Sequence, residues 1–120
     1  MTSAKQYGYD ATPGRDTITM ATLLQIDFPF GGPFGAEMAQ ALDGLARSIN
    51  DEPGFLWKIW TENAATGTAG GIYLFADAAS AEAYLAKHSA RLEGFGISDI
   101  RARVFDVNPA LTALNHGPLS

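Results

Sequence analysis

Residues 53–75 read PGFLWKIWTENAATGTAGGIYLF. Two dense apolar runs, Phe55–Trp60 and Ile72–Phe75, flank a small, polar, glycine-containing stretch, which is the pattern of a β-hairpin. Apart from Lys58, neither run alternates apolar with polar residues. An antiparallel strand commonly turns one face to water, so strands apolar on both parities need cover on both sides. Trp57 and Trp60 have opposite parity, which predicts that they face opposite sides of the sheet if the strand runs without a bulge.

The flanking chain supplies helices for one of those sides. Downstream, Asp77 and Ser80 offer helix caps, and Ala81, Tyr84, Leu85, His88 and Leu92 fall on a single helical stripe that Gly94 closes. Upstream, Met38, Leu42, Leu45 and Ile49 recur at helical spacing and predict one helix over 36–49, ended by Asn50 and the turn 51–54. Strands are predicted over 21–28 (ATLLQIDF) and 98–107, the latter with Ile100, Ala102 and Val104 on one parity and Arg101, Arg103 and Phe105 on the other. The loop at 29–35 is rich in glycine and proline but matches neither nucleotide-binding glycine spacing, so it reads as a turn. Beyond Pro109 only Leu111 and Leu114 stand out, without a long pattern.

This order is that of the ferredoxin-like α+β fold, β-α-β-β-α-β, with a four-stranded antiparallel sheet and both helices on one face. Its domain is expected to cover residues 20–120. Residues 1–19, without helical or strand periodicity, are expected to form a flexible extension whose Tyr7 and Tyr9 are its only large apolar groups before Ile18. Because two helices cover one sheet face, the apolar second face predicts a homodimer packed sheet to sheet.

Composition narrows the function classes. A hydrophobic share of 47% against 18% charged residues predicts a folded globule rather than a disordered chain. With no cysteine, a thiol nucleophile, a disulfide framework and a zinc ribbon are excluded. The net charge of −5 argues against a nucleic-acid partner. No stretch approaches a membrane span and no leader is visible, so a cytoplasmic protein is expected.

Four separated segments carry a resemblance: MATLLQIDFPFGGPFGAEMA, NDEPGFLWKIWTEN, GGIYLFADAASAEAYLAKHSARL and ARVFDVN. They resemble the YdhR-type mono-oxygenases, bacterial members of the dimeric α+β barrel superfamily and relatives of the antibiotic-biosynthesis mono-oxygenases. The resemblance runs from Met20 to about Leu114. It implies the same fold and dimer, and a cofactor-independent oxidation of a small aromatic or polyketide-like phenol by O2 in a cleft between sheet and helices, with no metal or flavin. Two alternatives stay open: a cofactor-free isomerase, dehydratase or cyclase in the same cleft, and a non-catalytic protein that binds apolar ligands.

The polyketide oxygenases carry an Asn and a Trp on the third strand where this chain, aligned through PGFL, has Gly71 and Phe75. Donors must therefore come from elsewhere. His88, on the apolar stripe of the second helix, is the candidate acid or base, since an imidazole titrates near neutrality. Trp60 is the candidate indole donor in the cleft, with Trp57 as its alternate. Tyr73 and Phe75, sharing a parity with Gly71, and Tyr84 are expected as substrate-binding walls, and Arg91, a helical turn past His88, could hold an anionic group. Lys58 is expected at a rim with its stem packed. Glu62 and Asp27 could act as bases, but neither has a visible paired carboxylate. His88 and His116 lack metal-motif spacing, and no metal site is expected.

Overall fold

The computed structural model describes residues 21–120. The extension expected over 1–19 lies outside the described residues. In chain order the elements are β1 (Thr22–Pro29), α1 (Gly35–Ala41), α2 (Asp43–Ile49), β2 (Phe55–Asn63), β3 (Thr68–Phe75), α3 (Ala78–Gly94), β4 (Arg101–Asp106) and α4 (Pro109–Leu114). The strands form one antiparallel sheet in the order β2-β3-β1-β4, which is the ferredoxin-like arrangement.

Strict alternation on β1 fixes which face is which. Thr22, Leu24, Ile26 and Phe28 are buried while Leu23, Gln25 and Asp27 are only partly so. Across the β1–β3 register the buried set pairs with Phe75, Tyr73, Gly71 and Ala69, so these four share the inner face. Onto it α3 lays the stripe Ala81, Tyr84, His88 and Leu92, all buried, and Met38 and Ile49 join the same core from α1 and α2. Each fully buried large side chain here contributes about 1.5–3 kcal/mol of hydrophobic stabilisation.

Helix α3 begins and ends on readable chemistry. The Asp77 carboxylate accepts from the Ser80 N–H at 2.7 Å, the expected cap. Gly94 is the helix's last residue, as expected, and Phe95 its cap. Ile97 N–H donates to Leu92 O and Gly96 N–H to Glu93 O, both at 3.0 Å, and Gly96 takes φ +86°. That pair of bonds is a Schellman motif, in which the left-handed residue is the glycine just beyond the helix.

Four expectations are corrected. The helix over 36–49 is two pieces, because Leu42 adopts φ −106°, ψ 11°, although Leu42 N–H and Ala46 N–H keep the helical bonds across the bend. The hairpin strands are longer than their apolar runs, since backbone pairing continues through polar residues to Asn63 and Thr68. β4 is shorter than 98–107 and exposed along its length, as an edge strand that among the described residues pairs with β1 alone. Finally, the tail holds α4, started by Pro109 at its first turn and by the Asn108 carboxamide accepting from Leu111 N–H at 3.0 Å.

The outer face is less apolar than expected: beside its apolar residues it carries Gln25, Asp27, Arg101 and Arg103, and one corner of it is covered. Trp57 and Ile59 of β2 pair with Leu74 and Ile72, of outward parity, and Phe105 of β4 pairs with Leu23. Leu74 is 1% exposed, and beside it the Trp57 indole N–H donates to Pro118 O at 3.2 Å, which lays the C-terminal segment on this side. Ile59 remains 56% exposed and Phe105 44%.

Candidate functional site

Between α3 and the inner sheet face lies a cavity of about 140 Å3. Its walls are apolar, from Phe28 and Phe30 of the first strand and loop, Met38 of α1, and Leu92 and Phe95 at the end of α3. Three walls carry polar groups or large π-faces: Lys58 and Trp60 from β2, Tyr73 from β3, with His88 opposite on α3. An open groove of about 450 Å3 along α2 and β2 shares Lys58 and Trp60 with the cavity, and Asp43, Arg47 and Trp57 line it as well.

Lys58 reaches this place because of what faces it. It pairs with Tyr73 and therefore points to the inner face, and Trp60, two residues on, pairs with Gly71. A Cβ at Gly71 would stand 2.6 Å from Lys58 Cε, so the missing side chain is the space through which the lysine stem crosses the sheet. Its Nζ then sits 3.2 Å from the centroid of the Trp60 ring and 4.6 Å from that of Tyr73. Among the described residues no carboxylate pairs with it. Burial, and then the nearby charge of Arg91, push the amine down to about 7.

His88 is fixed by its own helix. Arg91 Nε and Nη2 stand 3.2 and 2.9 Å from His88 Nδ1. A guanidinium only donates, so Nδ1 is the acceptor and the ring proton lies on Nε2. Burial first, then the charges of Lys58 and Arg91, push this imidazole down to about 3, so it is neutral throughout the physiological range. Tyr84 stacks on it with centroids 5.0 Å apart at 20°, and Tyr73 meets Tyr84 at 5.0 Å and 51°. Burial raises both phenols, and their hydroxyls lie 3.4 Å apart. Both tyrosines are neutral donors.

A family model described as "Putative mono-oxygenase ydhR" matches residues 23–118. The chain belongs to the ydhR family. Every wall of the cavity lies within the matched span. No curated protein matches the sequence.

Against this ydhR-family cleft the expected site residues separate clearly. Trp60, Tyr73 and His88 come together as cavity walls. Tyr84 lies behind them, stacked on His88, and Phe75 deeper still, stacked on Tyr73 at 6.1 Å and fully buried. Arg91 does not line the cavity and acts on it through His88. Trp57 stands on the opposite sheet face and in the outer groove, so it is not brought to the inner cavity. The β-bulge lies between Phe55 and Trp57, ahead of both tryptophans, and leaves their opposite parity intact.

Neither carboxylate weighed as a base is at the site. Asp27 pairs with Arg101 on the outer face, 2.6 Å from Nη2. Glu62 accepts from the Gly35 N–H at 2.7 Å and closes the glycine-rich loop. Lys58 is the residue that the rim expectation underrated. The signal was present, since it is the one polar residue within an apolar run and shares the parity of Trp60. Among the described residues no three metal-ligating side chains cluster.

Proposed function

We propose that the chain is a cofactor-independent mono-oxygenase that oxidises a small phenol in the inner cavity, working as a cytoplasmic homodimer. One observation carries the reading: an apolar, aromatic-walled cavity whose polar wall groups are cationic or hydrogen-bond donors, with no carboxylate in the wall. Such a lining suits an aromatic anion, and an apolar cavity of roughly 150 Å3 accepts a single aromatic ring.

The chemistry follows from what a phenolate does beside O2. The electron-rich ring carbon transfers an electron to O2, the radicals combine at that carbon, and loss of water leaves a quinone. Phenol plus O2 becomes quinone plus water, so the balance needs no external reductant. The chain's own residues orient the ring between Trp60 and Tyr73, exclude water, and offer the Nε2–H of His88 to the developing oxyanion. Arg91 keeps that proton on Nε2 by occupying Nδ1. The exposed apolar residues of the outer face, Ile59 and Phe105, support the dimer.

The test is oxygen uptake by the purified, chelator-treated full-length protein with a panel of hydroquinones and naphthols. One O2 consumed per product formed, with one of its oxygen atoms in that product and no hydrogen peroxide released, supports the reading; peroxide in place of oxygen transfer would overturn it. Turnover at the same rate without oxygen would replace it with an isomerase or cyclase in this cleft, and saturable binding without any product with a ligand-binding protein.

A further inference from the structure

We propose that Lys58 is the catalytic base of the cleft, its Nζ taking the hydroxyl proton of a single-ring phenol in the inner cavity and then, as an ammonium, holding the phenolate. The proposal rests on the oxygenase reading for the identity of the substrate. A phenol entering an apolar cavity is driven toward its neutral form, because desolvation penalises the charge. Reaction with O2 requires the anion, so something in the wall must accept the proton.

Elimination among the described groups leaves one acceptor. His88 Nδ1 is occupied by Arg91. Tyr73 and Tyr84 are neutral phenols raised by burial. Glu52 pairs with Lys87 at 2.7 Å, Asp43 with Arg47 at 2.8 Å, Asp27 with Arg101, and Glu62 with the Gly35 N–H. Lys58 alone is a wall of the cavity and without a carboxylate that would lock it as an ammonium.

In the step itself the phenol O–H bond breaks, an N–H bond forms on Nζ, and the electron pair stays on oxygen. The ammonium that results lies over two aromatic faces, Trp60 and Tyr73, which stabilise a cation and not an amine. The charged and titratable groups around it are His88 and Arg91 from α3, Tyr73 from β3, and the Asp43–Arg47 pair of α2 along the groove. Of these, the Arg91 charge opposes protonation, and the phenolate formed in the same step offsets it. An amine held near neutrality is poised to give and take a proton at working pH.

The experiment titrates the full-length protein, labelled with lysine bearing 13C at Cε, by NMR with and without 4-nitrophenol, whose ionised form absorbs visible light. The chain has three lysines, Lys5, Lys58 and Lys87, and Lys58→Met assigns the resonance; Lys58→Gln replaces it should the methionine variant not fold. Lys58 is expected to titrate several pH units below the ordinary lysine value. The bound probe is expected to ionise with a midpoint about one pH unit below that of free 4-nitrophenol, a shift lost in Lys58→Met, and to keep Lys58 an ammonium above the midpoint that the amine shows alone. An ordinary midpoint for Lys58, a bound probe that ionises equally in the variant, or a probe that does not disturb the Lys58 resonance would overturn the assignment. Because 4-nitrophenol is a poor reductant, none of this requires oxygen uptake. Ionisation by Lys58 with no O2 consumed from any hydroquinone would retire the oxygenase reading and leave the base standing.

Discussion

At the scale of single residues, the cleft places two ionisable groups where burial governs them, and each leaves a mark on stability. His88 is held down to about 3, while in the unfolded chain it returns toward 6.5. Between those values the unfolded state binds more protons, so the folded state loses stability as pH falls from 6.5 toward 3 and is unaffected by this group above 6.5. One such proton is worth at most about 1.4 kcal/mol per pH unit. Denaturant unfolding at pH 7 and pH 4.5 is expected to show a smaller acid loss in His88→Gln, which keeps an amide oxygen for Arg91, and equal losses would contradict the assignment. Gly71 is the second residue with a consequence. A methyl there meets the far end of a flexible chain, Lys58 Cε, and stands 3.2 Å from Tyr73 Cε1. Gly71→Ala is therefore expected to cost about 1–3 kcal/mol while displacing the amine from the rings, read as an upward move of the Lys58 13C midpoint.

At the scale of elements, α3 carries the site and its ends decide how firmly it is held. The Schellman bonds at Gly96 position Ile97 and Leu92, which both line the cavity. Gly96→Ala is expected to lower stability by about 1 kcal/mol or somewhat more, because alanine resists φ +86°, and a midpoint unchanged in urea would refute this. The same helix shows what sequence makes legible. Its cap at Asp77 and its stripe from Ala81 to Leu92 are local, periodic signals, and each is found where its spacing put it. The bend at Leu42 left no such signal, since the apolar spacing from Met38 to Ile49 is what an unbroken helix would show. Asn108-Pro109 did announce α4, through a cap and a helix-starting proline, but the helix is only six residues long and no apolar stripe develops. For the cleft, parity set Trp57 and Trp60 on opposite faces and Tyr73 on the same parity as Gly71, but it left open which tryptophan faces inward. What parity could not reveal was the missing side chain at Gly71 receiving a lysine from the neighbouring strand, because that contact depends on the register between β2 and β3.

At the scale of the whole molecule, the sheet has one face beneath helices and another that the described chain covers at one corner. The C-terminal segment reaches Trp57, yet Ile59 and Phe105 stay exposed on the outer parity and, among the described residues, β4 has an unpaired edge. Sedimentation of the full-length protein is expected to show a dimer. Ile59→Asp, a substitution of a side chain already 56% exposed, is expected to shift it toward monomer with little loss of fold. A wild-type monomer at high protein concentration would overturn the sheet-to-sheet arrangement.

Lys58 rests on a chromophore. The chain has two tryptophans, and Trp57, on the other face, is removable as Trp57→Phe. The emission that remains then comes from an indole with an amine nitrogen 3.2 Å above its ring. An ammonium there quenches the excited indole by donating a proton to it, whereas the free amine does not. The brightness of Trp60 is thus expected to rise as pH is raised through about 7, and the protein carries its own optical gauge of whether its half-buried lysine is charged.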